Sequence, residues 1–147
     1  MSIWRILLIF VCCTAAIKGH SETQISERPN KIVPIVNTGG QASISNNGLW
    51  AIFRMRLRHW SDDSPITVFI LEENDPIHRR FCKEILNIFP SQLRRAWNRL
   101  VFSGSGQAPI KVSSQEEMLK SVASTPGAIG YAYEKDLIDQ VRILKIQ

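Results

Sequence analysis

Apolar residues along this chain keep changing their spacing, and each spacing predicts an element. Two continuous runs, Ile32 to Val36 (IVPIV) and Ile66 to Leu71 (ITVFIL), are β-branched or aromatic. The first ends in the turn residues Asn37-Thr38-Gly39-Gly40 and the second follows Ser61-Asp62-Asp63-Ser64-Pro65, so both read as buried strands. Pro34 lacks a ladder donor, which places the first strand at an edge or on a bulge.

Between and after these runs the period becomes helical. Ser45 or Asn46 is positioned to cap a helix carrying Leu49, Ile52 and Phe53 on one face. Asp75 precedes Pro76 and a stripe of Ile77, Phe81, Ile85 and Ile88, while Pro90 opens a further helix with Leu93, Trp97, Leu100 and Val101 in register. Ser113-Ser114 followed by Glu116-Glu117 offers two overlapping capping boxes for a helix through Met118, Leu119 and Val122. After the turn Thr125-Pro126-Gly127, the stretch Ala128 to Ala132 reads as a strand interrupted by Gly130, a mark of close backbone approach. Val141 to Ile146 closes the series as a last strand. Strands alternating with helices define an α/β domain over residues 32–147.

The first residues follow a different rule. Arg5 precedes an apolar run from Ile6 to Ile17 with small residues at Thr14, Ala15 and Ala16. Crossing a bilayer takes about 20 apolar residues, so this shorter run reads as a cleaved signal peptide over residues 1–16. A polar lead over residues 17–31 follows. The expected location is the periplasm.

Composition adds limits. With 147 residues, 44% of them hydrophobic, the chain suits one domain, and its net charge of +5 is only mildly basic. Of three cysteines, Cys12 and Cys13 lie in the signal peptide. Cys82 alone remains, too little for a disulfide or a thiolate metal cluster, and its place beside Phe81 puts it in the core. His20, His59 and His78 form neither HExxH nor a His-x3-His pair, and the paired acids Asp62-Asp63, Glu72-Glu73 and Glu116-Glu117 sit in turns or at helix starts. No metal, cofactor or catalytic group is expected. Arg54, Arg56 and Arg58 alternate along the chain as a nucleic-acid patch would, but in an exported protein they read as a solvated basic edge.

Two loops have the composition of an anion site. FSGSGQAP (residues 102–109) is rich in glycine and serine, yet it follows a helix, and phosphate binds where a helix begins. Gly104 there reads as a left-handed helix stop. The turn Thr38-Gly39-Gly40, with Ser43 and Ser45, instead runs from a strand through a loop into a helix start. Thr38, Gly39, Ser43 and Ser45 are therefore the first candidates for an anion, with Ser103, Gly104 and Ser105 second. Neither loop carries a nucleotide-binding fingerprint.

Three stretches, AIFRMRLRHWSDDSPITVFIL, the run from Asp75 to Leu119 and TPGAIGYAYE, together resemble small relatives of the phosphate-binding proteins of bacterial ABC transporters. The distinguishing pieces are Ile52-Phe53 with Trp60, Trp97 to Pro109, and Pro126 to Tyr131. The resemblance implies one lobe of the periplasmic-binding-protein fold, a non-enzymatic role, phosphate or a similar oxyanion as ligand, and a membrane transporter or another periplasmic protein as partner. Where the transporters carry a Ser-Gly-Thr type turn before a helix, this chain has Glu72-Glu73-Asn74-Asp75-Pro76. The same resemblance therefore allows an interaction module that has lost its ligand.

Overall fold

The computed structural model describes residues 30–147. The expected signal peptide, and all but the last two residues of the expected lead, lie outside the described residues. Along the chain the elements are β1 (Ile32–Asn37), β2 (Ser43–Ile44), α1 (Asn46–Phe53), β3 (Thr67–Leu71), α2 (Pro76–Glu84), α3 (Pro90–Phe102), β4 (Ile110–Val112), α4 (Gln115–Ser124), β5 (Ala128–Tyr133), a 3-10 turn at Glu134–Asp136, β6 (Val141–Ile143) and β7 (Lys145–Ile146).

Five strands form the central sheet in the order β4-β3-β5-β1-β6, and β2 pairs with β7 beside it. β3 runs parallel to both β4 and β5, whereas β1 is antiparallel to β5 and to β6. β1 is thus the one reversed strand in a mostly parallel sheet. Its run Ile32 to Val36 is buried throughout, which an interior strand covered on both faces requires.

That position corrects the reading of Pro34 as an edge or bulge residue. The Pro34 carbonyl accepts a hydrogen bond from the Leu144 N–H at 2.9 Å, and proline has no N–H to return one. The loss falls just past Ile143, where β6 ends, so an interior strand tolerates it. The expected last strand is likewise divided at buried Leu144: Val141–Ile143 joins the large sheet and Lys145–Ile146 the small one.

Successive residues of β5 show how the layers lie. A Cβ on Gly130 would come within 2.4 Å of Met118 Sδ and 3.0 Å of Val122 Cγ2, so α4 packs against the backbone on that face. Tyr131, pointing the other way, stacks on Phe81 of α2 with ring centroids 4.1 Å apart and lies near Phe53 of α1. Helices therefore cover both faces of the sheet.

The helix starts follow the sequence closely. Ser45 Oγ accepts from the Gly48 N–H at 3.1 Å, Asp75 from Ile77 at 2.7 Å, and Ser114 from Glu117 at 3.2 Å. The helical faces are rotated from expectation. In α2 the buried residues are His78, Phe81 and Cys82, with Ile77 and Ile85 only partly covered. In α3 burial ends at Trp97; Val101 is exposed and Phe102 is 85% exposed.

Candidate functional site

Parallel α/β sheets place ligands outside the carboxyl ends of their strands. Here that edge holds the turn after β3 and the N-termini of α2 and α4. Both helix ends are filled by the protein's own groups. The Asp75 carboxylate takes the free N–H of Ile77 and sits 3.4 Å from that of His78. At α4, Glu117 accepts from the Ser113 N–H at 2.7 Å and its hydroxyl at 2.6 Å, and these bonds hold the Glu117 carboxyl below its usual range. The acidic turn is tied to neighbouring cations, Glu73 to Arg94 of α3 at 2.7 Å and Glu72 to Lys111 of β4 at 3.2 Å.

Next to this edge lies a groove of about 210 Å³ lined by Ile70, His78, Trp97, Val101, Phe102 and Pro109, among others. Its floor holds a buried chain of hydrogen bonds. The Leu71 N–H donates to Tyr131 Oη at 2.8 Å, so the tyrosine proton goes to His78 Nδ1, 2.6 Å away. His78 then carries its proton on Nε2, which faces Cys82 Sγ at 3.5 Å. Burial holds the imidazole below its ordinary pKa, although Glu73, Asp75 and Glu72 pull the other way, and pushes the Cys82 thiol up to about 12. Both side chains are almost fully buried, His78 at the floor of the groove. Sequence reasoning placed Cys82 in the core but missed His78, whose only signal was its place one turn before Cys82.

The first candidate loop lies at the opposite edge, where β5 begins. Three of its amides are spent internally: Thr38 donates to Gln140 O at 3.1 Å, Gly39 to Asn37 Oδ1 at 2.9 Å and Gly40 to Asn37 O at 2.8 Å. Ser43 Oγ accepts from Gln147 Nε2 at 3.1 Å, and Ser45 Oγ serves as the α1 cap. Of the four first candidates, only Gly39 lines the adjoining cleft of about 450 Å³.

In the second loop Gly104 has φ +68°, and the Gly104 and Ser105 amides close the end of α3 on Val101 and Leu100. It is a helix stop in geometry. The Ser103 and Ser105 hydroxyls hydrogen bond to each other at its exposed tip, and Arg58 Nη2 donates to the Ser105 carbonyl at 2.5 Å. Gly104 and Ser105 line a second cleft, of about 370 Å³, with Arg58 and His59. Pro65 borders both clefts, so the loops flank the same turn without lining a common space.

Among the described residues no group of three His, Cys, Asp or Glu converges to hold a metal, and no helix is long and apolar enough to cross a membrane.

Solved structures share this arrangement of sheet and helices over part of their length. An ABC-type phosphate transport receptor from Vibrio cholerae superposes with a TM-score of 0.60 at 14% identity, over 78% of this chain and 45% of that one. A putative phosphate ABC transporter substrate-binding protein with bound phosphate from Clostridium perfringens gives 0.61 at 16%, over 78% and 44%. PstS from Borrelia burgdorferi gives 0.60 at 18%, over 79% and 47%. The chain therefore spans less than half the length of these proteins. No protein-family model matches it, and no curated protein does.

Proposed function

We propose that this chain is an exported, non-enzymatic module of solute-binding type that acts by contact with another protein, a membrane transporter or a second periplasmic protein, and does not close on free phosphate. Asp75 is the observation that carries this reading. It occupies the helix end where an anion would bind and supplies the negative charge itself, so a free dianion there meets a carboxylate in place of open N–H groups. Support also comes from the groove beside it, where Phe102 is 85% exposed and Val101 is open. A monomer gains nothing from leaving such side chains together in water.

A second reading, direct binding of phosphate or a similar oxyanion, is favoured by the paired hydroxyls of Ser103 and Ser105 beside Arg58. It would use those residues with Gly104, or Thr38, Gly39, Ser43 and Ser45 on the other loop. Calorimetric titration with phosphate and sulfate of the parent, a Ser43→Ala/Ser45→Ala chain and a Ser103→Ala/Ser105→Ala chain separates the two. The first reading expects no heat that depends on either serine pair. Saturable phosphate binding abolished by one pair would overturn it in favour of the second.

A further inference from the structure

We propose that Arg54, Arg56 and Arg99 form a site for a phosphate monoester group carried on a larger molecule, apart from both serine loops. The three side chains, with Ala96 and Leu100, line a cleft of about 90 Å³ between the end of α1 and the last turns of α3. It contains no carboxylate. Among the described residues, none of the three guanidinium groups has a hydrogen-bonded or ion-paired partner, whereas Arg58 is held by Ser105, Arg80 by Glu84 and Arg94 by Glu73. Arg54 Nε is buried without a partner, and its guanidinium lies over the Trp50 ring, 4.5 Å from the centroid. Three like charges gathered around one cleft repel each other, and a buried N–H without an acceptor is costly.

Charge fixes the kind of ligand. Arg54 is the C-cap of α1 and Arg99 stands in the last turn of α3, and each helix end contributes roughly half a negative charge. The three guanidinium groups still outweigh these partial charges, so the cleft suits a multiply charged anion such as a phosphate monoester. Guanidinium groups match phosphate oxygens two at a time, and the cleft they line is small, about 90 Å³. Arg56 and Arg99 are exposed, so the carrier of the group remains outside in solvent. That carrier is either a soluble ester or a lipid headgroup.

The test uses glycerol 3-phosphate as the soluble probe, and phosphatidylcholine vesicles with and without phosphatidic acid as the membrane probe. The proteins are the parent chain, Arg56→Gln/Arg99→Gln, which alters only exposed side chains, and Arg54→Gln, each checked for an unchanged fold by circular dichroism. Binding of the soluble ester, weakened about tenfold or more in the Arg56/Arg99 variant, supports the site and assigns a soluble carrier. Binding only to phosphatidic acid vesicles, lost in the same variant, supports it with a lipid carrier. Shifts of the Arg54 Nε–H and Trp50 indole NMR signals on binding are expected in either case. No binding to either probe, or binding that the arginine variants leave intact and the serine variants abolish, overturns the proposal. The last result would leave the oxyanion reading of the serine loops standing.

Discussion

His78 is neutral because the hydrogen-bond chain needs an acceptor at Nδ1 and because its burial disfavours charge. The groups facing it are Tyr131 from β5, Cys82 from its own helix and Trp97 from α3, with Glu72, Glu73, Asp75 and Lys111 at longer range. In the unfolded chain the same imidazole takes up a proton near its ordinary pKa of about 6.5. Its folded value is depressed, so the unfolded state binds more protons in this range and stability is lost as the pH is lowered. The contribution is complete above about pH 6.5 and declines by up to about 1.4 kcal/mol per pH unit between there and the folded pKa. Asp62, Glu84, Glu116 and Glu117, whose pKa values are also held low, lose their contributions only at more acid pH, below the ordinary carboxylate values of 3.8 and 4.5. Urea midpoints measured from pH 7.5 to 5 should therefore fall, and His78→Gln, which keeps an acceptor for Tyr131, should flatten the slope. An equally steep decline in that variant would show that another group is responsible. At the neighbouring position, the raised thiol pKa and full burial of Cys82 predict that maleimide labels its peptide only as fast as the domain opens, as mass spectrometry of digests would show. Labelling at the rate of a free thiol would mean that the groove floor is open.

At the scale of elements, the tightest glycine site among the described residues lies between turn and strand ends. Gly127 has φ +73°, and a Cβ there would stand 2.3 Å from the Pro65 carbonyl, while its own carbonyl accepts from Trp60 Nε1 at 3.0 Å. Trp97 makes the matching bond on the other side, donating to Phe53 O at 2.7 Å. The pieces that marked the resemblance, Ile52-Phe53 with Trp60, the run from Trp97 and the Pro126 to Tyr131 stretch, are thus the pieces that bond to one another across the fold. Gly127→Ala should cost about 1–2 kcal/mol for the left-handed backbone, with about 1–3 kcal/mol more for crowding. Gly130→Ala meets the Met118 thioether, which can move, and stiff Val122, and should cost about 1–3 kcal/mol. Gly39→Ala touches only Asn37 Oδ1, at 3.4 Å, and should be nearly neutral. Thermal melts giving any other order would contradict this packing. The strands β1, β3 and β5 and the helix caps were legible in the sequence because each depends on a few adjacent residues, Ser45 and Asp75 being the plainest caps. β2 and β4, two and three residues long, carry no run of their own and were not. Nor were the rotated faces of α2 and α3. Whether His78 or Ile77 turns inward depends on the Tyr131 hydroxyl, 53 residues away. For the same reason Arg54, Arg56 and Arg58 looked like one basic edge, and only α3, which brings Arg99, separates Arg58 from the other two.

For the whole molecule, the pairing of distant segments sets the folding problem. β1 joins Ile32 to Tyr133 on one side and Ile35 to Ile143 on the other, so the centre of the sheet forms only when both ends of the described chain have come together. Non-local pairing of this kind slows folding to the range of milliseconds to seconds. It also makes the last seven residues structural. Val141 and Leu144 are buried, Leu144 bonds to the Pro34 carbonyl, and among the described residues β7 alone pairs with β2, which leads into the Ser45 cap. Ending the chain at Gln140 would remove two buried side chains worth about 1.5–3 kcal/mol each, from a domain whose total stability is typically about 5–15 kcal/mol. It would also convert β1, with its apolar run IVPIV, into an open edge, the arrangement most prone to pair with another chain. The shortened protein should melt at least several degrees lower and elute partly as higher oligomers in gel filtration. A monomer with the parent's melting temperature would mean that β6 and β7 merely decorate a sheet already complete at β1.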